Sequence, residues 1–128
     1  SGDIDILVNS DTKVLKEIVE SGIKKGYILE ILACKDIKFM GIVKLSEKDV
    51  ARRIDIMVTN KKEYPLAQLY FTGSKEHNIM MRNKAKEKGY KLNEHKLINM
   101  ENNEIVDIKN EDDIFRFLDI KYVDPKNR

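Results

Sequence analysis

Three carboxylates carry the chemistry that is most directly legible in this chain. Asp3 and Asp5 stand in the run Ser1-Gly2-Asp3-Ile4-Asp5-Ile6-Leu7-Val8, and Asp55 in Arg52-Arg53-Ile54-Asp55-Ile56-Met57-Val58. Both runs are rich in the branched apolar residues of strands. Acidic residues are poor strand formers, and a charge in such a run is costly unless it is paired or binds a cation. Asp3 and Asp5 are two apart, so they project from one face of one strand. With Asp55 on the neighbouring strand and facing the same way, three carboxylates converge and repel one another. A divalent cation is the natural compensation, because Mg2+ prefers carboxylate oxygens and a few retained waters. The competing reading is the solvated face of an antiparallel sheet, where alternating charge is ordinary. The same Ile-Asp-Ile in both runs favours the metal.

The elements that must position these carboxylates follow from the pattern. The first strand is expected over roughly 3–8. Asn9-Ser10-Asp11-Thr12 signals a turn and a helix start. Val14, Leu15, Ile18 and Val19 give that helix an apolar face, and Gly22 to Gly26 is expected to end it. Tyr27 to Ala33 and Ile37 to Leu45 read as strands separated by Cys34-Lys35-Asp36, and a fourth strand over 51–58 carries Asp55. Four strands and one helix in this order make a small sheet with a helix on one face. A short helix from Tyr64 to Tyr70 follows, with Pro65 in its first turn. Ser74 is a good N-cap for a helix to about Lys88, which Gly89 stops. On that helix Asn78 and Arg82 share a face, and Met81 and Ala85 a more apolar one. His77 reads as a surface residue. Tyr90 to Leu92 and His95 to Ile98 are short strands, with Glu104-Ile105-Val106 as a return strand. Asn110 caps a last helix, Glu111 to Leu118, and the end from Pro125 reads as a tail.

Composition narrows the class. The 128 residues are 41% hydrophobic and 36% charged, which describes a globular domain with a highly charged surface. No apolar run is long enough to span a bilayer, so no membrane partner is expected. Two histidines and one cysteine are a poor zinc set. Cys34, within an apolar run, reads as a small buried thiol, and a lone cysteine fits a reducing compartment. The net charge is +2, but residues 71–100 hold seven basic against three acidic residues, whereas 101–128 carry a net of −3. A basic segment in a near-neutral chain suits a phosphate-facing surface, or a solvated lysine-rich helix.

Taken in order, Ser-Gly-Asp-Ile-Asp-Ile-Leu, Arg-Arg-Ile-Asp-Ile and Tyr70-Phe71-Thr72-Gly73-Ser74 resemble the palm and thumb of a family X DNA polymerase, the group that contains DNA polymerase beta. Lys38-Phe39-Met40-Gly41, Asn78, Met81-Arg82, Glu87-Lys88-Gly89-Tyr90, Asn93-Glu94, Asp112-Asp113-Ile114-Phe115 and Lys121-Tyr122 with Pro125-Lys126 extend the resemblance over the whole chain. It implies an α+β fold: a nucleotidyltransferase palm over 1–60, with a mixed β-sheet and helices, and a small α/β thumb over 61–128. It implies a monomeric, DNA-directed DNA polymerase of the gap-filling repair type, acting on primer–template or gapped DNA and dNTPs. Its place is intracellular, at DNA: the nucleus, or the cytoplasm of a virus-infected or prokaryotic cell.

The resemblance also assigns roles. Asp3 and Asp5 bind two catalytic Mg2+ ions, for which Mn2+ can substitute. Asp55 binds only the ion at the primer terminus and helps to take the proton from the 3'-hydroxyl. Ser1 and Gly2 match the end of a triphosphate-binding segment. Arg53 contacts a primer phosphate and orients the carboxylates, and Lys38 falls at a primer-side position. Tyr70, Phe71 and Gly73 line the sugar pocket and disfavour a ribose. Asn78 reaches the minor-groove edge of the incoming base, and Arg82 contacts the template strand.

The sequence departs from the family pattern in places. Family members carry a Gly-Ser pair and an arginine shortly before the equivalent of Ser1, with helix-hairpin-helix elements and, in some, a lyase domain further upstream. The chain begins after all of these positions and is expected to be a fragment of a longer polymerase or a minimal homologue. Lys75 stands where the best-known member has an acidic residue at the nucleotide, which strengthens attraction to the triphosphate. His95 stands where a tyrosine is familiar. Two other readings compete: a non-catalytic DNA-binding fragment, and a template-independent or RNA-directed nucleotidyltransferase.

Overall fold

The computed structural model of the chain describes residues 3–128. These form two compact units, the first ending at Asn60 and the second spanning Lys61–Arg128.

The first unit is a four-stranded mixed sheet in the order β1-β4-β3-β2, built from β1 (Ile4–Asn9), β2 (Ile28–Cys34), β3 (Lys38–Val43) and β4 (Arg52–Thr59). β1 runs parallel to β4, whereas β3 is antiparallel to both β4 and β2. Two adjacent parallel strands require a crossover. Here it passes through helix α1 (Lys13–Lys24), β2 and β3. Leu15 and Val19 of α1 pack on Phe39, Ile56 and Val58, with Val8, Ile28 and Ile54 at the margin. Alternation along the strands therefore fixes the faces: Ile54, Ile56 and Val58 point to α1, and Arg53, Asp55 and Met57 point away from it.

Some expected boundaries move. α1 continues through Gly22 to Lys24, and a Cβ at Gly22 would stand 2.7 Å from Ile28 Cδ1. Glycine at this position lets strand and helix approach closely. Cys34 is exposed, not a buried thiol, and belongs to β2 rather than to a turn. The reason is that β2 is an edge strand, and two register shifts against β3 break its alternation. Gly41 has no such freedom: a Cβ there would meet the Glu30 carbonyl oxygen and the Phe39 ring, both at 2.7 Å. Since one neighbour is backbone, Gly41→Ala is expected to destabilise the first unit by about 1–3 kcal/mol. A denaturant midpoint that does not fall would refute this.

The second unit contains α2 (Tyr64–Thr72), α3 (Lys75–Glu87), the hairpin β5 (Tyr90–Leu92) with β6 (Leu97–Asn99), α4 (Glu111–Phe117) and a 3-10 turn at Pro125–Asn127. Its core joins Leu66 and Leu69 of α2, Met81 and Ala85 of α3, Leu92 and Leu97 of the hairpin, and Ile114, Phe115 and Leu118 at α4. Both expected caps form. Ser74 Oγ accepts from the His77 N–H at 3.3 Å, and Asn110 Oδ1 from the Asp113 N–H at 3.0 Å. Gly89, at φ +81°, follows the end of α3. Three expectations are corrected. Glu104–Val106 is not a strand but a loop with a single bridge, Ile98 to Ile105. His77 is buried, at 8% exposure. The C-terminal end is not a free tail: the Arg128 side chain is 0% exposed and paired with Glu111.

Candidate active site

In the first unit, the parallel pairing puts Asp5 directly beside Asp55. Directly paired residues share a face, so both carboxylates lie on the side of the sheet away from α1. β1 and β4 run parallel at this pair, whereas β4 meets β3 antiparallel at Asp55. Asp3 precedes the first strand residue and is exposed, in line with Asp5 by alternation. Arg53 Nε donates to Asp55 Oδ1 at 3.2 Å, with side chains 38% and 35% exposed. Met40 of β3 pairs with Asp55 on its other side, and Lys38 pairs with Met57, two positions along the same face.

Among the described residues, no three His, Cys, Asp or Glu side chains are gathered closely enough to hold an ion. Asp5 and Asp55 stand as a cross-strand pair, with Asp3 ahead of Asp5. Carboxylates alone repel, and a guanidinium on Asp55 offsets part of that repulsion. The donor set still suits a divalent cation, since hard carboxylate oxygens on adjacent rigid strands are what Mg2+ prefers. Ser1 and Gly2 lie outside the described residues.

In the second unit, Tyr70, Asn78 and Arg82 line one small cleft with Leu66, Leu69, Met81, Leu92 and Asn93. Asn78 Nδ2 donates to the Tyr70 carbonyl at 2.9 Å, tying the start of α3 to the end of α2. The Tyr70 and Phe71 rings are 6.4 Å apart. Gly73, at φ +66°, makes the corner between the helices. Lys75 is the first residue of α3 and is exposed. A cation there opposes the helix dipole, a local cost that suits an anionic ligand.

Two features lie outside the expected set. His95 Nδ1 meets Glu63 Oε1 at 2.8 Å, pinning the β5–β6 turn to the start of α2. His77 occupies the buried stripe of Met81 and Ala85, four and eight residues on. That i, i+4, i+8 spacing was its signal in the sequence.

Comparison with known proteins gives two family matches, DNA polymerase beta palm over residues 1–61 and DNA polymerase beta thumb over residues 67–128. DNA polymerase lambda of Rattus norvegicus is 28% identical over 148 aligned positions, covering 99% of this chain. DNA polymerase IV of Saccharomyces cerevisiae is 37% identical over 86 positions, covering 66% of it. The chain spans 26% of the rat protein and 14% of the yeast one. The crystal structure of Leishmania infantum polymerase beta in a ternary P/T complex matches all of this chain, with a TM-score of 0.86 and 30% identity, over 62% of its own length.

Proposed function

We propose, on the premise that the chain belongs to the family X DNA polymerases as their palm and thumb region, that it adds deoxynucleotides to a primer 3'-hydroxyl in gap-filling repair, releasing pyrophosphate. The observation that carries this reading is the in-register pair Asp5–Asp55 with Arg53 on Asp55. The four-stranded unit supplies the catalytic carboxylates, and the second unit supplies contacts to nucleotide and DNA.

Asp3, Asp5 and Asp55 are the residues that would hold divalent cations, which when bound neutralise the triphosphate and acidify the attacking hydroxyl. Arg53 fixes the rotamer of Asp55 and is placed to take a primer phosphate, as is Lys38 on the same face. Phosphoryl transfer depends chiefly on positioning and charge neutralisation, so rigid strands are suitable supports. In the second unit Tyr70, Phe71 and Gly73 form the surface for the sugar, and Lys75 attracts the triphosphate; Ser1 and Gly2 match the end of a triphosphate-binding segment. Asn78 and Arg82, one helical turn apart, face the minor-groove edge of the new pair. Minor-groove acceptors are nearly uniform across correct pairs, so such residues test shape without reading sequence.

The test offers a one-nucleotide gap to the protein with each of the four dNTPs and Mg2+. Addition of the complementary nucleotide alone is expected. Equal addition of all four would favour template-independent transfer, and binding without addition would favour a non-catalytic module. No helix among the described residues is long and apolar enough to cross a membrane. The polymerase reading puts the protein at DNA inside the cell, as a monomer.

A further inference from the structure

His77 is the third residue of α3 and breaks a rule of protein interiors. Its ring is buried, yet among the described residues neither Nδ1 nor Nε2 has a hydrogen-bond partner. Buried polar atoms are nearly always satisfied, and each exception calls for an explanation. An apolar ring of similar size would fill the same space without that cost.

The surroundings define which form of the ring fits. The His77 ring lies 5.9 Å from Phe115, and Phe115 lies edge-on to Tyr122 at 5.0 Å. The Arg128 guanidinium stacks over Phe115 at 5.2 Å and Tyr122 at 5.5 Å. Glu111, from α4, holds it at 3.0 and 3.1 Å. The charged groups that act on His77 are therefore Arg128, which repels an imidazolium, and Glu111, already committed to Arg128. Burial pushes the His77 pKa below its ordinary 6.5, Arg128 pushes it further down, and Glu111 opposes them.

The backbone of His77 connects this pocket to the nucleotide-facing surface. Its N–H is the donor that Ser74 Oγ caps, and the next residue, Asn78, is tied to the Tyr70 carbonyl. We propose that His77 is a proton-sensitive positioning residue: its neutral ring docks the first turn of α3 on Phe115 and so holds Asn78, and its protonation releases both. The proton comes from solvent and resides on the free ring nitrogen. The imidazolium then leaves the apolar pocket beside Arg128 for water, the Ser74 cap opens, and the Asn78–Tyr70 bond breaks. The link to Asn78 as a nucleotide contact rests on the polymerase reading. The link between His77 and the position of Asn78 does not.

The sign for stability follows from linkage. The unfolded chain takes up this proton near the ordinary value of 6.5, the folded chain only at lower pH. The stability contributed by the neutral ring is thus fully present above 6.5. It declines as pH falls through that value and is lost once pH is below the folded pKa.

Two measurements on the whole chain test the proposal. The first is an NMR titration of the His77 ring C–H and the Asn78 side-chain amide from about pH 8 to about pH 5. The two are expected to shift with a common midpoint below 6.5. An Asn78 amide that stays fixed while His77 titrates would overturn the coupling, and this needs no variant and no activity. The second is the pH profile of KM for the incoming nucleotide in the wild type and in His77→Phe. Over the same range the wild-type KM is expected to rise about 3- to 10-fold, the worth of one lost hydrogen bond. In His77→Phe this rise should be absent once the change common to both proteins, from protonation of the triphosphate itself, is divided out, with the two kcat profiles parallel. Identical KM profiles would overturn the proposal. Failure to add any nucleotide would sink the polymerase reading, while the titration would still decide the coupling.

Discussion

Asp55→Asn is expected to lower the rate of nucleotide addition by on the order of a thousandfold, with DNA affinity preserved. Asparagine keeps the volume and the planar head group but removes the charge. The backbone register with Asp5 and Met40 should survive, because ladder hydrogen bonds do not depend on the side chain. What is lost is the anionic charge, both as a cation ligand and as the ion-pair partner of Arg53, 3.2 Å away. That ion pair is more than a third exposed, so its contribution to folding is small, about 0–1 kcal/mol. A large kinetic loss with almost no loss of stability is the signature of a catalytic carboxylate. Arg53→Ala serves as the comparison. It releases Asp55 without discharging it, and a smaller loss of rate with weaker primer binding is expected. Single-turnover incorporation into gapped DNA measures both. An Asp55→Asn protein that adds nucleotides at the wild-type rate would remove the carboxylate from the mechanism.

Where local chemistry decides the outcome, the sequence was legible. Ser74 and Asn110 cap their helices because a short oxygen-bearing side chain before a helix has few alternatives. The pairing of Asp5 with Asp55 follows from two similar apolar runs that share one buried face. What was not legible depends on partners distant in the chain. Cys34 has the surroundings of a buried residue in the sequence, but β2 lies at the sheet edge, and edge position is a property of topology. The return strand at Glu104–Val106 shrinks to one bridge, because β5 and β6 are only three residues long each and offer little ladder to extend. Gly22 resembled a helix terminator, and only the approach of Ile28 shows its use inside α1. Asp3, Asp5 and Asp55 stood out as carboxylates in strand-like runs, and Arg53, expected to orient them, bonds to Asp55.

Arg128 was the least visible of these residues, and Arg128→Ala is expected to have the largest effect on stability. The side chain is 0% exposed and its partner Glu111 13%. Two parallel bonds of 3.0 and 3.1 Å join guanidinium to carboxylate, and a third, from Nε, reaches the Val123 carbonyl at 2.9 Å. The planar group also rests on Phe115 and Tyr122. Truncation leaves Glu111 charged and largely buried, removes a donor from a carbonyl, and strips the rings of their cover. Breaking a buried pair from one side costs about 3–5 kcal/mol. For a unit of this size, that is roughly 12–40 °C in Tm at about 4–8 °C per kcal/mol. Lysine should rescue little, because a point charge cannot reproduce the fork or the stacking. The double variant Arg128→Leu with Glu111→Leu should recover much of the loss, since an apolar pair leaves no charge unpaired. The first unit has its own core and is expected to keep its unfolding transition throughout. Calorimetry separates the two transitions, and an Arg128→Ala protein with an unchanged second transition would show that the clasp is not what holds Lys61–Arg128 together.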